Sequence, residues 1–263
     1  MPTEKNPFSI QVEDLDFTYS SPDRPKIDAL LGMNLSVRDE EFVSLVGPSG
    51  CGKTTFLKLL CGLISPDKGK IRIKGLPPLE ARQNGRFSVV FQSTALLEWR
   101  TVEENIFLPI ELHSELKTEH QVLFKDLMKM VGLEDFSNSY PHELSGGMQQ
   151  KVAIARSLIN QPSALFMDEP FGALDLITRG KLNLELQRIW GKIKPSVVFI
   201  THSIREACFL SDKIAVMSTS PGRITKIFDV NFERPRSLEI FQESDFISLE
   251  TNVSKELGNS SIL

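Results

Sequence analysis

Nowhere in this 263-residue chain do 18 apolar residues follow one another, and Met1–Asn6 lacks the apolar core of a secretory signal. Neither a membrane span nor export is expected, and the chain reads as cytosolic. Cysteine is scarce. Cys51, Cys61 and Cys208 form no C-x-x-C pair, which argues against disulfides and against a zinc site, so all three are expected as reduced thiols. Charge of one sign is also missing: 30 Lys and Arg residues against 34 Asp and Glu leave a net charge of −4 with no long basic run. A nucleic-acid partner gains nothing from that balance. What is present, 41% apolar and 24% charged residues, suffices for a full core in one large or two modest lobes.

One stretch organises the rest. Gly47-Pro48-Ser49-Gly50-Cys51-Gly52-Lys53-Thr54-Thr55 matches G-x-x-x-x-G-K-[ST], with the strand formers Phe42–Val46 before it and a helix start, Phe56–Leu60, after it. The glycines let the backbone curl so that successive N–H groups face one concavity, to which a helix N-terminus adds its positive end. Such a nest binds phosphate. Lys53 is then placed for the β- and γ-phosphates, and the Thr54 hydroxyl for a bridging Mg²⁺. An incidental glycine-rich turn would not arrive with all three features together.

Along the chain, Ile10, Val12, Leu15, Phe17 and Tyr19 fall at near-alternate positions before a turn at Ser20–Asp23, predicting a partly exposed strand, with a second short strand near Met33–Val37. Ser65–Gly69 reads as a turn, and Ile71 and Ile73 alternate with Lys70, Arg72 and Lys74. An antiparallel β-region is therefore expected beside the nucleotide strand. Phe87–Phe91 reads as a buried strand with Gln92 at its end. From Thr101 to about Leu158 the signals turn helical: Thr101-x-x-Glu104 and Thr118-x-x-Gln121 read as capping boxes, and Leu123, Leu127 and Met130 repeat at helical spacing. Inside this lobe Leu144-Ser145-Gly146-Gly147-Met148-Gln149-Gln150 opens a helix carrying Met148, Val152, Ala155 and Ile159 on one face. Two glycines at a helix mouth cost stability and make sense if backbone amides must approach an anion.

Two short continuous apolar runs, Ala164–Met167 and Ser196–Thr201, predict parallel strands covered on both faces, and they deliver Asp168, Glu169 and His202 to the carboxyl edge where ligands bind. Leu182, Leu186, Ile189 and Trp190 form a helical stripe between them. Lys213–Met217 reads as the last central strand, Pro221-Gly222-Arg223 turns into Ile224–Val230, and beyond Pro235 the pattern weakens to a polar tail.

Gly47–Thr55, Gln92, Leu144–Gln150, Asp168-Glu169 and His202 stand in an order that resembles the ATP-binding-cassette (ABC) ATPases from about Phe8 to Val230. The L-S-G-G-M-Q-Q run separates that family from kinases, GTPases and helicases, which share the phosphate loop. The resemblance implies an α/β P-loop NTPase core with an antiparallel β-subdomain and an inserted α-helical subdomain. Residues 8–232 would form the ATP-binding domain, with about 95–160 inserted, and 233–263 a C-terminal tail. It also implies roles. Tyr19 would stack on adenine, its alternative being a strand-end packing residue. Residues 47–55 would wrap the phosphates. Ser145, Gly146, Gly147 and Gln149 would reach nucleotide across a dimer, and Asp175 would touch the opposite subunit. Thr54, Gln92 and Asp168 would hold Mg²⁺. Glu169 would polarise the attacking water, its alternatives being a second metal ligand or a structural acid, and His202 would contact the γ-phosphate alongside Lys53 and Gln92. The family has aspartate where this chain has Ser203; Ser203-x-x-Glu206 can still cap a helix.

Phe171–Asp175, Thr201–Ala207, Met217–Ile224 and Arg234-Pro235-Arg236 resemble more narrowly the ATPase subunits of bacterial importers for nitrate, sulfonates and taurine. That implies an ATP-hydrolysing importer subunit, peripheral on the cytoplasmic face of the cell membrane. It would form a head-to-tail homodimer bound to transmembrane permease subunits and served indirectly by a periplasmic or extracellular solute-binding protein. The alternative from another class is a soluble ABC ATPase acting on nucleic acid or ribosomes. Such proteins carry coiled-coil insertions, a second cassette or a basic surface, features this sequence does not display. Leu96, Leu97 and Trp99, just after Gln92, read either as core of the helical lobe or as a groove for a membrane-subunit helix.

Overall fold

The computed structural model describes residues 7–21, 24–113, 117–219 and 221–260. Two long strands open the chain, β1 (Phe8–Ser21) and β2 (Arg24–Arg38), followed by β3 (Phe42–Val46), α1 (Lys53–Leu60), β4 (Lys68–Ile73), α2 (Pro78–Gln83) and β5 (Phe87–Val90). Three helices follow, α3 (Val102–His113), α4 (Thr118–Val131) and α5 (Gly146–Leu158). The chain then alternates through β6 (Ala164–Asp168), α6 (Leu176–Ile193), β7 (Ser196–Thr201), α7 (Ile204–Leu210) and β8 (Lys213–Met217), and ends with β9 (Ile224–Asp229) and α8 (Ser244–Ser260).

Strands β2-β1-β4 form a small antiparallel sheet, and β5-β6-β7-β3-β8-β9 a larger one that is parallel except for β9 at its edge. The parallel strands read as unbroken apolar runs because the larger sheet is covered twice. Phe42 and Val46, Leu165 and Met167, Val197 and Phe199, and Ile214 and Val216 face one core, shared with the stripes of α3–α8. Their neighbours Val43 and Leu45, Ala164 and Phe166, Val198 and Ile200, and Ala215 and Met217 face a second core, shared with α1 and the small sheet. Each large side chain so buried contributes about 1.5–3 kcal/mol. Register then aligns the strand ends: Val46 pairs with Thr201, Asp168 with Ile200 and Val90 with Met167. Every loop leaving β3, β5, β6 and β7 therefore emerges at one edge.

Several expectations need correction. The second strand is not short: β2 runs from Arg24, and residues 25–28 are exposed, so no apolar alternation marks them. Of the turn expected at Ser20–Asp23, Pro22 and Asp23 lie outside the described residues, while Ser20 and Ser21 belong to β1. Lys68 and Gly69 belong to β4 rather than to the preceding turn. Phe91 falls beyond β5 and is exposed. Thr101 and Glu104 do form the reciprocal box, Thr101 N–H to Glu104 Oε2 at 2.8 Å and Glu104 N–H to Thr101 Oγ1 at 3.3 Å. Thr118 does not cap. Helix α4 starts on it, and the Lys117 amide donates to His120 Nδ1 at 3.1 Å instead.

The polar tail is folded. Helix α8 buries Phe246 and Val253, seven residues apart on one face, and with Ile240 they join the core that α7 and the helical lobe share. Arg234 and Arg236 anchor its start. Arg236, 3% exposed, donates from Nη1 to the carbonyls of Cys208, Phe209 and Ser211 at 3.2, 2.8 and 2.9 Å, and so satisfies the open carbonyls ending α7. Gln187 on α6 clamps the Arg236 backbone, accepting its amide at 2.7 Å and donating to its carbonyl at 2.8 Å. Arg234 lies over the Trp190 ring and bonds Asp212 at 2.9 Å.

Candidate nucleotide site

Between β3 and α1 the chain passes through Gly47–Gly52. Gly47 and Cys51 are buried, Ser49 and Gly50 exposed, and Pro48 lies between. Gly50 and Gly52 have φ of +78° and +101°, which only glycine adopts without strain. Gly52 caps α1, so the free amides of its first turn point into the loop. The Cys51 thiol is packed rather than displayed: burial raises its pKa, with Lys53 opposing. Lys53 is buried and arches back, its Nζ donating to the carbonyls of Gly47 at 2.8 Å and Pro48 at 3.0 Å. The ammonium thus lies along the loop that a phosphate would enter. Thr54 is exposed at the first turn, whereas Thr55 is buried and its Oγ1 lies 3.1 Å from the Tyr19 hydroxyl. Tyr19 also meets Phe17 edge-on at 4.9 Å, which fixes the ring at the border of the site with 43% of its surface free.

The acidic side comes from the neighbouring strands. Asp168 ends β6, and burial first, then Glu169, raises its pKa, with Lys53 pulling the other way. Glu169 follows with φ +44°, a conformation costly for a side-chain-bearing residue, held by its amide donating to the Ile200 carbonyl at 2.8 Å. That turn directs its carboxylate to His202, whose Nδ1 lies 3.1 Å from Glu169 Oε2. A carboxylate only accepts, so in the neutral ring Nδ1 carries the proton and Nε2 is left as an acceptor. Gln92 reaches the same place. A Cβ on Gly172 would sit 3.2 Å from Gln92 Nε2 and 3.5 Å from Glu169 Oε2. Gly172 is thus a spacer that lets amide and carboxylate approach, and the sequence reading missed it because its backbone need is contact, not a turn.

Behind His202, Ser203 caps α7 by accepting the Glu206 amide at 3.3 Å, yet the reciprocal half of the expected box is absent. The Ser203 amide bonds Thr201 Oγ1 at 3.0 Å, and Glu206 bonds the same hydroxyl at 2.6 Å.

The Ser145–Gln149 run opens the separate helix α5. Ser145 Oγ accepts the Met148 amide at 3.3 Å, and a Cβ on Gly147 would come within 3.1 Å of Thr178 Cγ2. Gly147 therefore has a packing reason against α6 within the chain. Gly146 has none, since its added Cβ would meet Leu174 Cδ2 at an ordinary 3.7 Å. Gln149 turns away to donate to the Pro141 carbonyl at 2.9 Å. Asp175 caps α6 through the amides of Ile177 and Thr178, both at 3.0 Å, and its hydrogen bonds, Thr178 foremost, hold its carboxyl below the usual range. Next to it Leu176 and Ile177 stand 81% and 73% exposed.

Among the described residues no group of three or more His, Cys, Asp or Glu side chains forms a metal cage. The donors present, one half-buried carboxylate whose charge lacks solvent and one exposed threonine hydroxyl, fit Mg²⁺, which takes few protein ligands and shares the rest with phosphate and water.

Residues 30–172 match the family model described as ABC transporter. An uncharacterized ABC transporter ATP-binding protein of Methanocaldococcus jannaschii is 44% identical over 88% of this chain and 86% of its own. An aliphatic sulfonates import ATP-binding protein of Bacillus cereus is 41% identical over 86% of this chain and 88% of its own. A nitrate import ATP-binding protein of Synechococcus elongatus is 39% identical over 93% of this chain but 37% of its own length. Among solved structures, a dimeric bacterial ABC transporter cassette superposes with a TM-score of 0.73 at 31% identity, over 85% of this chain and all of that one. The chain belongs to the ABC transporter family, and its fold is that of the ABC ATPase cassette.

Proposed function

We propose that this ABC ATPase is the motor subunit of an importer for a small solute of the nitrate and sulfonate class, taurine included, and works as a head-to-tail homodimer against transmembrane permease subunits. The observation that carries the ATPase site is the shared edge: in-register β3, β6 and β7 bring Lys53, Asp168, Glu169 and His202 together, while Ser145–Gly147 faces outward on another helix. The names of the sulfonate and nitrate relatives support the solute class. The exposed Leu176 and Ile177 beside Asp175 support a partner subunit covering that face. No helix among the described residues is long and apolar enough to cross a membrane. The import relatives support permease partners, which this chain would drive from the cytoplasmic face. A solute-binding protein would act through those partners.

In this reading the adenine stacks on Tyr19 and the phosphates lie along residues 47–55, with the α1 amides and Lys53 carrying charge that develops on the γ-phosphate. Phosphate oxygens draw Lys53 Nζ off the carbonyls of Gly47 and Pro48. Thr54, Asp168 and Gln92 would hold Mg²⁺, which would supply positive charge to offset that of the phosphates. Glu169 orients the water and accepts its proton, His202 holds Glu169 in place through Nδ1, and the partner's signature amides close the site.

Mixing Lys53→Ala and Ser145→Arg chains tests the shared site. Each variant alone spoils both sites of its homodimer, whereas a heterodimer regenerates one intact site, so the mixture is expected to hydrolyse ATP well above either parent. No gain under conditions that demonstrably form heterodimers would remove the head-to-tail model.

A further inference from the structure

Gly222 lies directly behind the phosphate loop. A Cβ there would fall 2.1 Å from the Cys51 carbonyl oxygen, 2.8 Å from Met217 Cε and 3.1 Å from Leu30 Cδ2. The first is a backbone atom and cannot rotate away. Gly222 is not among the glycines with positive φ, so conformation does not demand glycine there; space does.

The residue is also tied down on both sides. Its amide donates to the Ala29 carbonyl at 2.9 Å and its carbonyl accepts the Leu31 amide at 3.1 Å, bridging the small sheet to the segment that follows β8. Leu30, between those two bonds, also backs the loop: a Cβ on Gly52 would meet Leu30 Cδ2 at 2.7 Å and the Ala29 carbonyl at 2.9 Å. Met217 closes the other end, 3.0 Å from a Cβ on Gly47. Ala29–Leu31, Met217 and Gly222 thus make one frame pressed against Gly47, Cys51 and Gly52.

We propose that Gly222 is a positioning residue for phosphate binding. It touches no substrate atom. By presenting bare backbone to the Cys51 carbonyl it keeps the Cys51–Gly52 and Gly52–Lys53 peptide planes turned so that their amides converge on phosphate. A methyl group at 222 pushes that carbonyl inward and rotates the amides out of line, weakening binding while leaving Glu169 and His202 where they are.

The inference rests on ATP being held by this loop, which the ATP titration of the wild-type full chain establishes separately. With Gly222→Ala, hydrolysis as a function of ATP and equilibrium binding of a fluorescent ATP analogue are measured beside the melting temperature. The expected result is a KM and a Kd raised about tenfold or more, with kcat at saturating ATP within about threefold of wild type. A folded variant with unchanged KM, or one that loses kcat at constant KM, overturns the proposal. Should Gly222→Ala fail to fold, Leu30→Val decides, because it removes the methyl that a Cβ on either Gly52 or Gly222 would meet, at little cost to the core. It is expected to raise KM about twofold to fivefold, and an unchanged KM overturns the proposal equally.

Discussion

His202 Nδ1 sits 3.1 Å from Glu169 Oε2, although the residues leave different strands. The contact exists because β6 and β7 are paired with Asp168 opposite Ile200, and because Glu169 takes a positive φ that swings its side chain sideways instead of along the strand. An acid held that way has one oxygen engaged and the other free for a water.

Glu169→Gln keeps the shape and the bond to His202 but cannot accept a proton. ATP binding is expected to persist while turnover falls about a hundredfold or more, within the range for loss of a general base. The variant is also expected to accumulate as an ATP-bound dimer, visible by size-exclusion chromatography. Turnover within a few-fold of wild type would move the base elsewhere, first to His202.

Asp168 gives a test with opposite signs in stability and activity. Burial, then Glu169, lifts its folded-state pKa above the unfolded value, so ionisation costs the folded chain more than the unfolded one. That cost is absent below the unfolded pKa, grows as pH rises towards the folded pKa and is complete above it. Asp168→Asn is therefore expected to melt higher than wild type at pH 7 without nucleotide, with the advantage fading in acid. Turnover should drop roughly a hundredfold or more, since the proposed Mg²⁺ site would lose its carboxylate. Thermal scans across pH check the first half; a lower melting point at pH 7 would mean the carboxylate has a stabilising partner.

Legibility in the sequence followed burial. β3, β6 and β7 were readable as continuous apolar runs because both faces are covered, and the residues at their ends came with them. The start of β2 and helix α8 were not. Residues 25–28 edge a sheet in solvent, and α8 shows a narrow stripe built on Phe246 and Val253 among Ser, Glu, Asn and Lys. Gly172, Gly222 and Arg236 were invisible as site or framework residues because their partners are backbone or side-chain atoms distant in sequence. A motif shows which residues meet the ligand, and a long-range contact shows what holds them.

Arg236 tests that framework. Arg236→Met keeps the length of the side chain but strips hydrogen bonds from the carbonyls of Cys208, Phe209 and Ser211 in a buried setting. Each acceptor left unpaired costs about 1–3 kcal/mol, so a total of roughly 3 kcal/mol or more is expected. For a chain of this size that lowers the melting temperature by about 6–12 °C. Urea unfolding of the variant measures the loss directly; a change below about 0.5 kcal/mol would show that water replaces the guanidinium at the end of α7.

Trp99 is 74% exposed, which overturns the reading of this ring as core, whereas Leu96 does pack against the helical lobe. The backbone beneath the ring is held firmly. Buried Asn105 accepts the Leu97 amide at 2.8 Å and donates to the carbonyls of Leu97, Arg100 and Thr101. Arg156 holds the other end through the carbonyls of Thr94 and Ala95. A large ring displayed in solvent on a pinned segment, a few residues after Gln92, suits an anchor for a membrane-subunit helix that reports nucleotide state. Trp99→Ala is expected to shift the isolated subunit's melting temperature by no more than about 2 °C, as for other surface changes, and to leave its basal ATPase intact. Recovery of the complex with the permease and solute uptake should both fall. Emptying a buried tryptophan site would instead cost about 3–5 kcal/mol. Uptake equal to wild type with the complex intact would send the search for the coupling surface to another face of the helical lobe.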